Sequence, residues 1–91
     1  MTYDIIYAPE AEKGLAKLYK SEPKAYQKAL KLIAELHEHP RTGTGKPEML
    51  SGNLTGTWSR RITEKHRLVY EIHDTEVIVF LLSAHGHYGD K

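Results

Sequence analysis

The chain has 91 residues, with 13 lysines and arginines against 12 aspartates and glutamates and a net charge of +1. A chain of this length builds one modest core, so the sequence predicts a single domain over residues 1–91. It contains no cysteine, which excludes disulfides and thiolate metal sites and is typical of a reducing compartment. No apolar run approaches the length of a membrane span, and we therefore expect a cytoplasmic protein with no membrane partner.

The first half of the chain predicts one strand followed by two helices. Residues 2–7, "TYDIIY", are apolar and aromatic, as is typical of a short strand. Pro9 suits the first turn of a helix, and apolar residues at helical spacing extend that helix to about Ser21. Ser21 is then expected to cap a second helix, which Pro40 stops. Each helix has one apolar stripe, so we expect an antiparallel pair with each helix covering one side of a sheet.

The second half predicts a loop and then an antiparallel meander. Residues 41–57 contain four of the seven glycines and predict a long loop, and loops of this length are often functional. Strands are predicted at residues 58–62, 67–73 and 76–82. The last of these is apolar at nearly every residue, which predicts a strand buried on both faces. The element order indicates an α+β domain.

All four arginines lie in the basic middle third of the chain, where the planar guanidinium fork suits phosphate or carboxylate. Pairing residue 60 with residue 68 across the first hairpin collects the large apolar residues on one face. The same register places Arg61 and Arg67 together on the opposite face. Arg60 then falls on the apolar face, where it needs an acidic partner or a route to the edge.

The motif "KPEML" at residues 46–50, the run "NLTGTWSRRITEKHRLVY" at 53–70 and the "HY" of 87–88 resemble the YoeB/Txe toxins of the RelE superfamily. The resemblance covers essentially the whole chain, including its element order. It implies a RelE-like fold with an N-terminal strand, two antiparallel helices and a meander of three or four strands. It also implies a metal-independent mRNA endoribonuclease without a cofactor, acting in the ribosomal A site. A YefM-like antitoxin would silence it, and a homodimer is plausible.

The resemblance also implies roles for individual residues in cleavage by the RNA 2′-hydroxyl. Glu48 matches the general base and Arg67 matches the arginine that stabilises the phosphate. His87 matches the general acid, and Tyr88 is the aromatic residue beside it. Such a reaction needs a proton acceptor, a cation for the phosphate oxygens and a proton donor, which these residue types supply.

Further basic residues are expected to bind the substrate. Lys46 and Arg61 match residues near the scissile phosphate, and Arg60 is predicted with them, as substrate contact or as part of an antitoxin-docking patch. The chain departs from some relatives by having Ser51 near a position where they carry a lysine. His85 is a second histidine ahead of the terminal pair.

The residues alone argue against two kinds of site and leave two alternative functions open. The histidines of "HEH" (37–39) and "HGH" (85–87) offer only two imidazoles each, so the sequence predicts no metal site. "TGTGK" (42–46) lacks the spacing of a nucleotide-binding loop. The alternative functions are a ParE-like toxin that inhibits DNA gyrase by protein binding, and a module that binds RNA without cutting it.

Overall fold

The computed structural model describes residues 2–50 and 56–85, which form a five-stranded mixed sheet and two helices. In chain order the elements are β1 (Asp4–Tyr7), α1 (Pro9–Ser21), α2 (Pro23–Leu36), β2 (Glu48–Met49), β3 (Thr57–Arg61), β4 (Arg67–His73) and β5 (Ile78–Ser83). The strands lie in the order β1-β5-β4-β3-β2, with β1 parallel to β5 and the remaining pairs antiparallel. The predicted sequence of strand, two helices and meander is confirmed.

The two helices form a hairpin with a single residue, Glu22, between them. Pro23 begins α2, because its fixed φ and missing N–H suit the first helical position. Ser21 is the last residue of α1, so the prediction that it caps the second helix is wrong. Within the described ranges neither helix has the length and apolar character to cross a membrane.

Both helices pack on the same face of the sheet. Ala11 and Leu18 of α1, Leu32 of α2, Leu68 of β4 and Leu81 of β5 are all fully buried in one apolar cluster. The prediction that each helix covers a different side is therefore wrong, because the one-residue junction keeps the helices side by side. The opposite face, which we call the open face, faces away from both helices.

Burial along β5 alternates. Val79 and Leu81 are 0% exposed, whereas Ile78 and Phe80 between and beside them are only partly buried. The prediction of a strand buried on both faces is wrong, since one face of β5 is the open face. The strand starts at Ile78 because the preceding turn ends at Val77, which has a positive φ of 57°.

The predicted loop of residues 41–57 contains a two-residue strand and one glycine that the fold requires. Gly45 has a φ of 88°, and a Cβ built on it would lie 2.9 Å from the carbonyl oxygen of Arg61. The backbone N–H of Arg61 donates to the Gly45 carbonyl at 2.7 Å. This close approach leads the chain into β2, where Glu48 pairs with Ser59 of β3.

Candidate active site

The register of three strands brings an acid and two arginines onto the open face. Arg61 lies directly opposite Arg67, in the predicted register that pairs residue 60 with residue 68. Glu48 lies opposite Ser59, two residues before Arg61. Residues directly opposite in an antiparallel pair point to the same face, so all four side chains share the open face.

Glu48 and Arg67 approach each other across β3. Their Oε1 and Nη1 atoms are 3.7 Å apart, with the Glu48 side chain 64% exposed and that of Arg67 21% exposed. Because Glu48 is opposite Ser59 and Arg67 is opposite Arg61, the contact spans β3 diagonally. Ser59 is 1% exposed, and its hydroxyl has no hydrogen-bond partner among the described residues.

The pairing of Arg61 with Arg67 is electrostatically unfavourable. Like charges directly opposite in a sheet destabilise it, and guanidinium groups bind phosphate and carboxylate oxygens in bidentate fashion. Glu48 offsets part of this charge, at a distance longer than a hydrogen bond. The arrangement therefore concentrates positive charge at this point of the open face.

Lys46 lies in the turn that precedes β2. It is exposed and has a left-handed φ of 51°, directly after the Gly45 turn that is bonded to Arg61. The chain thus carries Lys46 and Glu48 together out of one turn onto the edge of the sheet beside β3.

The predicted acid His87 and its neighbour Tyr88 lie outside the described residues, as does Ser51. Their roles stay predictions. The structure therefore brings together Glu48, Arg61 and Arg67 of the predicted site, and it places Lys46 in the turn two residues before Glu48.

Comparison with known proteins assigns the fold. The model of the "YoeB-like toxin of bacterial type II toxin-antitoxin system" family matches residues 7–88. Toxin YoeB of Mycobacterium bovis is 40% identical over 82 residues, covering 90% of this chain and 94% of the relative. The chain belongs to the family of YoeB-like toxins.

Solved structures of YoeB toxins have the same fold. A YoeB/ParE toxin from Agrobacterium tumefaciens superposes with a TM-score of 0.86 at 28% identity, covering 93% of this chain and 99% of that chain. YoeB from Staphylococcus aureus, 32% identical, is solved as a dimer with a TM-score of 0.81 and in complex with YefM with a TM-score of 0.80. In both cases 97% of this chain and 100% of the staphylococcal chain are covered. This YoeB-like chain is accordingly a toxin of a type II toxin–antitoxin pair.

The position of Arg60 in the YoeB-like fold contradicts the prediction that it contacts substrate or antitoxin. It is 0% exposed on the helix-covered face, so it is not available to contact substrate or antitoxin. Its Nη1 donates to Glu35 Oε1 at 2.8 Å and its Nε donates to the Tyr70 hydroxyl at 3.2 Å. Its Nη2 donates to the carbonyl oxygens of His39 and Thr42. Arg60 has the acidic partner that the strand register called for.

These bonds of Arg60 organise the loop that leads to Lys46 and Glu48. The Thr44 N–H donates to Glu35 Oε1 at 2.9 Å, and the Tyr70 hydroxyl donates to the Pro40 carbonyl at 2.8 Å. Burial alone would raise the pKa of Glu35, but bonds from Thr44 and Arg60 more than offset this and hold the pKa below its ordinary value. Burial raises the pKa of Tyr70. Hydrogen bonds to buried and half-buried side chains therefore anchor the loop at residues 40–44, ahead of Lys46 and Glu48.

Sequence reasoning missed a second group of chemically active side chains in this YoeB-like chain. His66 Nε2 lies 2.7 Å from Glu22 Oε2, and the His66 and His85 ring centroids are 4.4 Å apart. The hydrogen bond with His66 lowers the pKa of Glu22, whereas loss of hydration and the nearby charges of His66 and Lys17 lower the pKa of His85. Glu22 and His66 are 44 residues apart in sequence, so no local motif signals their contact.

Proposed function

We propose that this chain is a ribosome-dependent mRNA endoribonuclease that cleaves messages in the ribosomal A site and so inhibits translation. The observation that supports this most directly is the placement of Arg61 opposite Arg67 with the Glu48 carboxylate 3.7 Å from Arg67. A proton acceptor beside two guanidinium groups matches the needs of phosphodiester cleavage by an internal hydroxyl.

The reaction uses the ribose 2′-hydroxyl as the nucleophile. Glu48 removes its proton while the 2′-oxygen forms a bond to phosphorus, and the bond from phosphorus to the 5′-oxygen breaks. His87 gives a proton to the departing 5′-oxygen, so the products are a 2′,3′-cyclic phosphate and a free 5′-hydroxyl. Negative charge that builds on the phosphoryl oxygens in the transition state is stabilised by Arg67, with Arg61 beside it.

Substrate binding draws on the remaining cations and on an aromatic side chain. Lys46 and Arg61 hold the phosphate backbone on either side of the scissile bond. Tyr88 stacks on an unpaired base, since single-stranded RNA exposes base faces to aromatic residues. Because Glu48 is largely exposed on the rim of the sheet, alignment of the message by the ribosome supplies much of the rate.

The open face is also where a YefM-like antitoxin would silence the toxin. Acidic side chains of the antitoxin would pair with Arg61 and Arg67 and so occupy the position of the phosphate. The staphylococcal complex of YoeB with YefM supports this partnership, and the staphylococcal dimer supports assembly of two copies of this chain.

Mapping the 5′ ends of messages on translating ribosomes, with purified toxin added, tests the proposal. We expect new ends within codons at the A site, bearing 5′-hydroxyls, and no such ends on the same message without ribosomes. The same preparation is tested for trapping gyrase on DNA. Intact messages together with trapped gyrase would replace the proposal with the ParE-like function, and bound but intact messages would indicate an RNA-binding module.

A further inference from the structure

Three distant parts of the chain place metal-binding side chains together on one side of the fold. Glu22 is the single residue between α1 and α2, His66 ends the turn between β3 and β4, and His85 follows β5. One ligand atom from each lies within 4.8 Å of the other two. None of the three is a residue to which we assign a role in RNA cleavage.

We propose that Glu22, His66 and His85 bind one divalent transition-metal ion of the zinc class. Two imidazoles and one carboxylate are ligands that Zn²⁺ accepts, with bonds of about 2.0–2.2 Å, and a water would complete a tetrahedral site. The trio lacks the oxygen-rich coordination that Ca²⁺ and Mg²⁺ prefer. The ligand chemistry therefore selects the zinc class over the alkaline-earth ions.

The separations between the ligand atoms are close to those of a tetrahedral zinc site. Two ligand atoms of a tetrahedral zinc lie about 3.3 Å apart, as follows from its bond lengths. The separation of 2.7 Å between His66 Nε2 and Glu22 Oε2 is that of a hydrogen bond and must open slightly. The His85 ring is already tilted against that of His66, with an interplanar angle of 38°. The three ligand atoms lie within 4.8 Å of one another, so separations in the site differ from the tetrahedral value by about 1.5 Å at most.

The backbone holds two of the ligands firmly and leaves access from solvent. The Thr63 hydroxyl accepts the N–H groups of Lys65 and His66, which fixes the turn before His66. At Gly14 of α1 a Cβ would lie 3.0 Å from His85 Cβ, so the glycine lets the end of β5 approach the helix. His66 is buried and His85 is exposed, so an ion can enter from the His85 side.

Two lysines near the site would repel a bound cation but leave room for it. Lys65 Nζ lies 3.6 Å from the other carboxylate oxygen of Glu22, and its side chain is 71% exposed, so it can turn away into water. Lys17 is exposed on α1 near His85. The contact between Glu22 and His66 is by itself an ordinary structural ion pair. It is the adjacent imidazole of His85 that turns this pair into a candidate metal site.

Calorimetric titration of chelator-treated toxin with Zn²⁺ alone tests the site. We expect one equivalent to bind, and Co²⁺ to give the visible absorption of a low-symmetry site with nitrogen and oxygen ligands. Loss of outer-shell partners alone weakens metal sites by about 10–100-fold, so His85→Gln and Glu22→Gln should each weaken binding at least tenfold. Because His85 is exposed, its variant should keep the wild-type circular dichroism spectrum.

Matched variants separate this site from others in the chain. His73→Gln is the control, since His73 is half-exposed and also contacts carboxylates, Glu71 at 3.2 Å and Glu76 at 3.9 Å. It should leave the affinity unchanged, and so should His87→Gln, which removes the proposed general acid. The inference is overturned if no equivalent binds, if His85→Gln binds as wild type, or if His87→Gln abolishes binding. None of these outcomes bears on whether the toxin cuts RNA.

Discussion

Arg60 and Arg61 are neighbours in sequence and lie on opposite faces of one strand. Arg60 is fully buried, and its guanidinium donates to a carboxylate, a phenol and backbone carbonyls. Arg61 is exposed and stands opposite another arginine. The same residue type thus has a structural role on one face and an exposed position opposite a like charge on the other.

The comparison shows that the contacts of an arginine in this fold, and not the residue type alone, indicate whether it has a structural or a functional role. The helix-covered face has its charges satisfied by the loop it holds in place. On the open face, the carboxylate of Glu48 lies 3.7 Å from the guanidinium of Arg67.

The largest effect should come from removing Arg60. Arg60→Ala leaves Glu35, Tyr70 and several carbonyls without their donor, and breaking a buried pair in this way costs about 3–5 kcal/mol. Since the Glu35 side chain is 25% exposed and can gain water, we expect the lower end of that range. Urea unfolding measures the loss. Arg61→Ala is the control, and a surface change of this kind shifts stability by about 0.5 kcal/mol or less; equal losses in both variants would erase the distinction between the faces.

Glu48→Gln and His87→Gln should each lower cleavage by about 10²–10⁴-fold, the range for a lost general base or acid. Glu48→Gln should unfold at the wild-type urea concentration, because its side chain is 64% exposed and its contact with Arg67 is long. The pH dependence of cleavage on programmed ribosomes separates the roles. Glu48→Gln should lose the acidic limb of the pH–rate profile and His87→Gln the basic limb. An unchanged profile in either variant would show that the residue is not the proposed base or acid.

The sequence was sufficient for the strand register and insufficient for partners distant along the chain. Alternation of apolar residues in β3 and β4 places Arg61 and Arg67 on one face, as observed. The same alternation puts Arg60 among apolar residues without identifying Glu35, which lies 25 residues away.

Two other features left no usable pattern in the sequence. A two-residue strand such as β2 is too short for alternation to show, so Glu48 was expected in a loop. The continuous apolar run of β5 masked a strand with one partly exposed face, because half-buried Ile78 and Phe80 are as apolar as the core residues beside them. The sheet order, and not local composition, decides both cases.

Ser59 tests how tightly the open face is packed. Ser59→Ala removes a buried hydroxyl that has no partner in the described residues, so stability should stay level or rise by about 1 kcal/mol. Ser59→Leu inserts bulk between Glu48 and Arg67 and should cost about 1–3 kcal/mol, the range for overpacking. Thermal unfolding and cleavage are measured together. Full cleavage by the leucine variant would show that the contact across β3 has no part in the reaction.

A further prediction concerns the dependence of stability on acid. Because the pKa of Glu35 is held below its ordinary value in the folded chain, its contribution to stability is present at neutral pH and is lost as pH falls through that lowered pKa. Glu35→Gln should therefore be less stable than wild type at pH 7, and the gap should narrow as the pH is lowered below about 4. Urea unfolding across this range measures the difference. If the difference in unfolding free energy between wild type and Glu35→Gln widened in acid, the pKa of Glu35 would be raised by folding and not lowered.

The single-turnover cleavage rate of Arg67→Ala on programmed ribosomes tests the central claim most directly. Removing a group that stabilises transition-state charge costs about 10²–10³-fold in rate, and we predict a loss of this size in a chain that remains folded. Arg41→Ala, which removes an exposed arginine paired with Asp74 at 2.6 Å, is the matched control and should cleave within about twofold of wild type. Cleavage by Arg67→Ala at the control rate would contradict the account.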